Sequence, residues 1–287
     1  MQVRAISRPY LFLAVVGLFV VNFFIFRAAL APRVLSVVVL DIGQGDSILI
    51  EGPTGITMLV DGGPDRGVLR ELGAVLPLGE RTIDAVVATH PDKDHIGGLP
   101  DVFANYEVAY FLEPGIPNDT NAARALEAAA HEEQGMTRTV ARRGMRLDLG
   151  GGAYADILYP DRDPARMDTN DGSIVMHLAY GQTSFMLTGD LTSDIEAWLL
   201  VLDGEDGELP TDVFKAGHHG SKYSTSEAWL AALNPSVVAI SVGERNSYGH
   251  PTPEVLARVA AAGAAVYRTD EDGRLTFTSD GERVRRD

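Results

Sequence analysis

The sequence predicts an α+β protein: two mixed β-sheets packed as a sandwich with outer helices, preceded by one N-terminal transmembrane helix. Three features point there. Apolar runs of strand length follow one another soon after residue 33, such runs alternate with helical patterns from residue 67 onward, and residues 10–26 are almost continuously apolar.

In chain order, Arg4 and Arg8 precede YLFLAVVGLFVVNFFIF at 10–26, in which Asn22 is the one strongly polar residue. With residues 28–31 the stretch reaches the ~20 apolar residues that cross a bilayer. Ala29-Leu30-Ala31 resembles a signal-peptide cleavage site, but the apolar stretch outruns the roughly 7–15 residues of a signal core and Arg27 interrupts the approach. A membrane anchor is therefore expected over 1–31 in preference to a cleaved signal segment, with one folded domain over 32–287. Arg27 and Arg33 balance Arg4 and Arg8, so the flanking charges leave the orientation open. The short tail before the helix favours a single pass through the cell membrane with the domain outside the cytoplasm.

Residues 34–40 (VLSVVVL), 47–51 and 57–60 read as strands, the last two joined by a turn at Gly52-Pro53-Thr54-Gly55. A helix over 67–76 leads to a strand at 83–88 (IDAVVA). A second helix, rich in Ala and Glu, spans about 122–133 with Asn121 as its cap. Strands follow at 154–159, 173–180 and 183–187, then an amphipathic helix over 191–202. Beyond a strand at 212–216, the segments 226–233, 237–241, 253–261 and 264–267 continue the alternation of helix and strand. A chain of 287 residues suffices for a sizeable core.

The formal net charge of −16 argues against a nucleic-acid binder that relies on a broad basic surface. It leaves room for an enzyme that reaches a phosphodiester through a local metal site. The absence of cysteine excludes disulfides, thiolate-ligated zinc and thiol nucleophiles.

Polar loops fall where the strands end. The most informative is Thr89-His90-Pro91-Asp92-Lys93-Asp94-His95-Ile96-Gly97-Gly98, which gathers two imidazoles and two carboxylates within six residues, just beyond the strand at 83–88. That mixture suits Zn, Mn or Fe better than Ca, which takes all-oxygen cages. A solvated acidic turn is the alternative. Gln44 and Asp46 lie among glycines that let both face a cleft or form a plain hairpin turn, and Asp61 also ends a strand. Asp190 is either a carboxylate bridging two ions or the N-cap of the following helix. Adjacent residues leaving a strand point to opposite sides, so one of His218 and His219 is expected to bind metal while the other orients the site or contacts substrate. Ser221 and Lys222 offer a hydroxyl and a point charge to an anion. His250 adds an imidazole; His131 belongs on a solvated helix face, and His177 is expected to pack within a strand.

DIGQGDS at Asp41, LVDGG at Leu59, THPDKDHIGG at Thr89, NDGSIV at Asn170, LTGD at Leu187, KAGHHGS at Lys215 and SYGHP at Ser247 occur in that order. Through them the chain from about Leu35 onward resembles the metallo-β-lactamase fold superfamily, and within it the hydrolase domains of the ComEC family of DNA-uptake competence proteins. The resemblance implies an αββα sandwich with a metal site at one edge of both sheets. The superfamily's His-x-His-x-Asp-His run is carried by His90, Asp94 and His95, with Asp92 where a second His would stand. Asp190 matches the bridging carboxylate and His218 or His219 the final His. The intermediate His is missing, and Thr169 or Asn170 occupies that neighbourhood. One metal position then has Asp94, His95, Asp190 and a His; the other has His90, Asp92, Asp190 and Asn170, a harder donor set favouring Mn or Mg over Zn.

The implied cofactor is a divalent metal, Mn or Zn, as one or two ions. Asp61 would orient a ligand, Asp94 would double as proton acceptor, and His250, Ser221 or Lys222 would stabilise developing charge or the leaving oxygen. The implied activity is a metal-dependent hydrolase, a phosphodiesterase or nuclease acting on DNA outside the cytoplasmic membrane during uptake. Its partners would be DNA or another phosphodiester, the membrane, and a separate DNA-channel protein. Two alternatives stand beside it: hydrolysis of a small phosphoester such as surface phosphorylcholine, and a membrane-tethered binding module without catalysis.

Overall fold

The computed structural model describes residues 8–29, 34–203 and 209–287. The chain divides in sequence into two compact units, Met1–Arg33 and Val34–Asp287. In the first, Arg8–Ala29 forms a helix, and its described apolar side chains from Tyr10 to Phe23 are exposed. Among the described residues, no helix is long and apolar enough to cross a membrane. The expected N-terminal helix forms, then, but the expected transmembrane span is not found. The parts of the expected 1–31 segment at residues 1–7 and 30–31 lie outside the described residues.

The second unit contains both sheets. The chain lays down β1 (Leu35–Val39), β2 (Ile48–Glu51), β3 (Thr57–Val60), β4 (Thr82–Val87), β5 (Glu107–Glu113) and β6 (Thr137–Val140) in the first. It then builds the second from β7 (Arg146–Gly150), β8 (Ala153–Tyr159), β9 (Val175–Tyr180), β10 (Thr183–Leu187), β11 (Val213–Lys215), β12 (Val237–Ile240) and β13 (Ala265–Arg268). Strands β14 (Leu275–Ser279) and β15 (Val284–Arg286) return to the first sheet, whose order is β15-β14-β1-β2-β3-β4-β5-β6. The second sheet runs β13-β12-β11-β10-β9-β8-β7. Both are mixed: β3 to β6 are parallel in one and β10 to β13 in the other, with antiparallel strands beside them.

Period-two side-chain alternation explains the layering. Val37 and Val39 of β1, Ile48 and Ile50 of β2, and Met58 and Val60 of β3 pack into the same core as Phe185 and Leu187 of β10 and Val213 of β11. This core lies between the sheets. Their in-between neighbours Val38, Leu49 and Leu59 instead meet Leu72, Phe103 and Leu126 from helices Gly67–Val75, Leu99–Asn105 and Asn121–Glu132. Met186, Phe214 and Val238 meet Leu199, Trp229 and Val255 from helices Ser193–Asp203, Glu227–Leu233 and Pro253–Ala261. Strands buried on both faces read as unbroken apolar runs, and three apolar layers define an αββα sandwich.

Two local differences have clear causes. Thr120, rather than Asn121, caps helix Asn121–Glu132: its hydroxyl accepts the Ala123 amide, while Asn121 Oδ1 accepts from Arg124. Strands β5, β6, β7 and β15 escape the sequence pattern because much of each is solvated, as in the exposed Tyr110 and Val140.

Candidate metal centre

The carboxyl ends of β3 and β4 in one sheet and of β10, β11 and β12 in the other open onto one place. There the loops after them put His90, Asp94, His95, Asp190 and His219 in mutual contact, all but Asp94 buried.

The hydrogen bonds fix which ring nitrogen each histidine turns inward. Asp61 sits at φ 59°, a left-handed conformation that aims its carboxylate back at the β4 loop. It accepts the Thr89 amide and hydroxyl, each at 2.7 Å, and His95 Nδ1–H at 2.8 Å. Because the Thr89 hydroxyl donates to Asp61, its oxygen is left to accept His90 Nδ1–H at 3.1 Å. His219 Nδ1–H donates to the Ser241 carbonyl at 3.0 Å. All three Nδ1 atoms being donors, all three Nε2 atoms carry lone pairs. Those Nε2 atoms are buried without a hydrogen-bond partner, as is Asp190 Oδ1. They nevertheless converge: His95 Nε2 lies 3.2 Å from Asp190 Oδ1, and His219 Nε2 lies 3.5 Å from both Asp190 Oδ2 and Asp94 Oδ2. Lone pairs packed this closely in a buried site repel unless a cation stands among them.

Asp94, His95, Asp190 and His219 form one such set, with ligand atoms within 4.8 Å of one another. These donors fit a divalent ion with imidazole and carboxylate ligands. A second set gathers on the same carboxylate of Asp190. His90 Nε2 lies 3.9 Å and His218 Nε2 3.6 Å from Asp190 Oδ2, and Asp92 Oδ2 is 3.8 Å from His90 Nε2. Asn170 Nδ2 reaches His218 Nδ1 at 3.4 Å. His218 thus joins His90, Asp92 and Asp190, and Asn170, one of the two residues the sequence offered for the missing intermediate His, meets it through its side-chain amide.

The rule that adjacent histidines diverge does not hold here, for a backbone reason. β11 ends at Lys215, and His218 (φ 47°) and His219 (φ 53°) both take the left-handed conformation in a tight turn. Both Nε2 atoms therefore reach the same carboxylate oxygen of Asp190, at 3.6 and 3.5 Å. Two successive non-glycine residues in that region are strained, a condition found where function over-determines the backbone. Nor is Asp190 a helix cap. It is buried, and the next helix starts at Ser193.

The electrostatics carry the same message. Burial works against charge on His95 and His219, yet Asp190 with Asp61 raises the first well above its usual range, and Asp190 with Asp46 lifts the second to about 9. Burial also opposes charge on Asp190, but His219 and His95 hold it well below the usual carboxylate range. His90 goes the other way: burial, then the nearby His95, drives it down to about 3, so it stays a neutral donor. The site demands positive charge at its centre, as a proton or as a metal.

Beneath the cluster lies a pair that sequence reasoning missed. Lys215 is only 1% exposed, and its Nζ donates to Asp46 Oδ2 at 2.7 Å and to the Ala216 carbonyl at 2.9 Å. Asp46 Oδ1 faces His219 Nδ1 at 3.3 Å. A lysine ending an apolar strand just before two histidines was the available signal. Of the remaining expected residues, His250 lines the metal pocket with Gln44, Asp92, Asp94, Asp190, His218, His219 and Tyr248. Lys222 lines an adjoining 720 Å³ cleft instead. Ser221 is buried and its hydroxyl accepts the Tyr223 amide, so the structure does not bring it to the pocket. His131 is exposed, and His177 lies within β9.

An αββα sandwich whose strand ends enclose a buried His/Asp cluster defines a protein with a divalent metal site of the metallo-hydrolase type. The sequence profile of the metallo-beta-lactamase superfamily matches residues 40–244, and the chain belongs to that superfamily. Two relatives are ComE operon protein 3 of Bacillus subtilis, 31% identical over 83% of this chain and 32% of that protein, and competence protein ComA of Neisseria gonorrhoeae, 32% identical over 84% and 32%. The chain thus spans about a third of the length of these relatives. Among solved structures, Igni18, a metallo hydrolase of the archaeon Ignicoccus hospitalis, shares the fold with a TM-score of 0.54 at 16% identity, covering 84% of this chain and 98% of that one.

Proposed function

We propose that the domain is a metal-dependent phosphodiesterase that cuts DNA outside the cytoplasmic membrane during DNA uptake, in concert with a separate channel protein. The observation that carries the catalytic part is the convergence of three buried imidazole lone pairs on the single carboxylate of Asp190. The competence role is supported by what two relatives are: one a competence protein, the other a product of the ComE operon.

A divalent cation held by Asp94, His95, Asp190 and His219, with a second held by His90, Asp92, Asp190 and His218, would supply Lewis acidity and make water ionisable near neutral pH. The rest falls to side chains. Asp190 Oδ2 lies 3.5 and 3.6 Å from His219 Nε2 and His218 Nε2 and so couples the two sets. Asp94, one-third exposed, faces the pocket and can accept a proton from water. His250 is held below its usual range by burial and then by His218 and His219, so it is neutral at pH 7 and can offer a ring N–H as a hydrogen bond to the leaving oxygen, which takes the proton that Asp94 accepts from water. Lys222 offers a point charge to a flanking phosphate.

A second reading has its own support. The larger cleft carries Asp168, Asp171 and Asp194 against the single cation Lys222, on a chain of net charge −16. That wall favours a small phosphoester over a long polyanion. One experiment separates the readings. The full chain is assayed with Mn or Zn on labelled single-stranded DNA and on a small phosphodiester. DNA cleavage lost in EDTA and in Asp94→Ala bears out the nuclease; turnover of the small ester alone moves the assignment to the second reading. Protein that binds no metal refutes both and leaves a binding module.

A further inference from the structure

Two exposed tyrosines flank the metal pocket. Tyr248 is 67% exposed, lines the pocket directly, and stacks on His250 with ring centroids 5.9 Å apart and planes at 18°. Tyr223 is 65% exposed and lines the 720 Å³ cleft, with Lys222 Nζ 5.0 Å from its ring centroid. The cleft and the pocket adjoin through Asn170, which lines the first and lies 3.4 Å from His218 in the second. Contacts therefore run from Tyr248 through His250 and His218 to Asn170, and the cleft that Asn170 lines carries Tyr223.

We propose that Tyr248 and Tyr223 are stacking platforms for the nucleobases on the two sides of the scissile phosphate, so that the accepted substrate is an unpaired strand. The proposal rests on the nuclease reading and names its substrate form. A protein of charge −16 cannot hold DNA through a broad basic surface. An aromatic face binds any base through its π-surface, whatever the sequence and without needing a phosphate contact. The acidic wall of the cleft suits base edges bearing amino donors better than it suits phosphates. Tyr248 is held from behind by His250, so its outward face is positioned, while Lys222 beside Tyr223 can meet the phosphate of the base stacked there. In a duplex the faces of the bases are already stacked on each other, so only an unpaired strand offers them to both rings.

The test measures kcat and KM for the Mn-loaded full chain on a short labelled single strand, on the same strand in a duplex, and on that strand with abasic residues flanking the cleaved phosphate. Tyr248→Ala and Tyr223→Ala should each raise KM about tenfold on the normal strand with little change in kcat. Tyr248→Phe and Tyr223→Phe, which keep the π-face, should behave as the parent. On the abasic strand the alanine variants and the parent should be alike. Unchanged KM in the alanine variants, equal loss in the phenylalanine variants, a loss that persists on the abasic strand, or equal cutting of duplex and single strand overturns the platforms. A parent protein that cuts no DNA in any form removes the nuclease reading and the platforms with it, whereas a parent that cuts normally beside unaffected variants removes the platforms alone.

Discussion

Replacing Lys215 by methionine isolates the electrostatic support under the metal centre. The substitution keeps the length of the side chain and removes one buried cation, leaving Asp46, itself 1% exposed, without its contact at 2.7 Å. Breaking a buried pair from one side costs about 3–5 kcal/mol, because the remaining charge is stranded. His219 Nδ1 still faces Asp46 at 3.3 Å, which places the expected loss near the lower end, about 3 kcal/mol. With a denaturant slope of about 2–3 kcal/mol/M in urea, the unfolding midpoint in EDTA should fall by about 1 M or more. The loss should also depend on pH. Burial acts to raise the Asp46 carboxyl, but Lys215 and His219 outweigh it and hold the group below the usual carboxylate range. A depressed carboxyl stabilises the native parent above its unfolded value near ~4, and that contribution fades as pH falls. Without Lys215 burial gains ground, the carboxyl rises, and acid relieves the stranded charge in the variant. The gap between the two proteins must therefore narrow on acidification through about pH 4. Adding Asp46→Asn should recover much of the loss. A loss below about 1 kcal/mol, or a gap that widens in acid, would falsify this account.

Asp61→Asn, which keeps the backbone turn but weakens the acceptor for His95 Nδ1–H and the Thr89 hydroxyl, should lower Mn affinity about 10- to 100-fold in calorimetric titration; unchanged affinity would remove Asp61 from the site's support. His219→Ala should abolish binding at the set that includes Asp94 and His95, and His218→Ala at the set that includes His90 and Asp92, so each should halve the metal content of a two-ion protein and the double variant should hold none, as read by elemental analysis. Full metal content in either single variant would contradict the split. Gly45→Ala places a Cβ 2.0 Å from the Asp94 carbonyl at φ +125°, so it should push the β1–β2 loop away from the metal loop. Activity should drop with it and unfolding should come earlier by about 2 kcal/mol or more; a fully active Gly45→Ala protein would show that this close approach is dispensable.

Much of the fold was legible because its central strands are buried on both faces, so that 34–40, 57–60 and 183–187 stand out as plain apolar runs matching β1, β3 and β10. Legibility failed mostly at edges, although β14, with Leu275 and Phe277 in the core, was missed as well. β6 reads Thr-Arg-Thr-Val and β15 Val-Arg-Arg, whose side chains are mostly solvated and whose identity comes from pairing, not pattern. The cluster of Asp94, His95 and Asp190 was readable because loops after parallel strands collect at one edge. The joint approach of His218 and His219 was not, since it needs two consecutive left-handed residues that no local rule predicts for histidine. The Lys215–Asp46 pair joins residues 169 positions apart and is visible only once both sheets are in place.

The donor set has a mechanical side. Asp94 and His95 hang from the sheet that holds β4, Asp190 and His219 from the sheet that holds β10 and β11. A cation on those four groups would act as a clasp across the sandwich, closing it at the strand tips. Prying the layers apart and emptying the clasp then become one linked equilibrium, in which each tenfold excess of free ion over its dissociation constant adds about 1.4 kcal/mol of resistance. Amide hydrogens along β4 and β10 should exchange more slowly as Mn is added, while those of the far-edge strands β6 and β15 keep their pace.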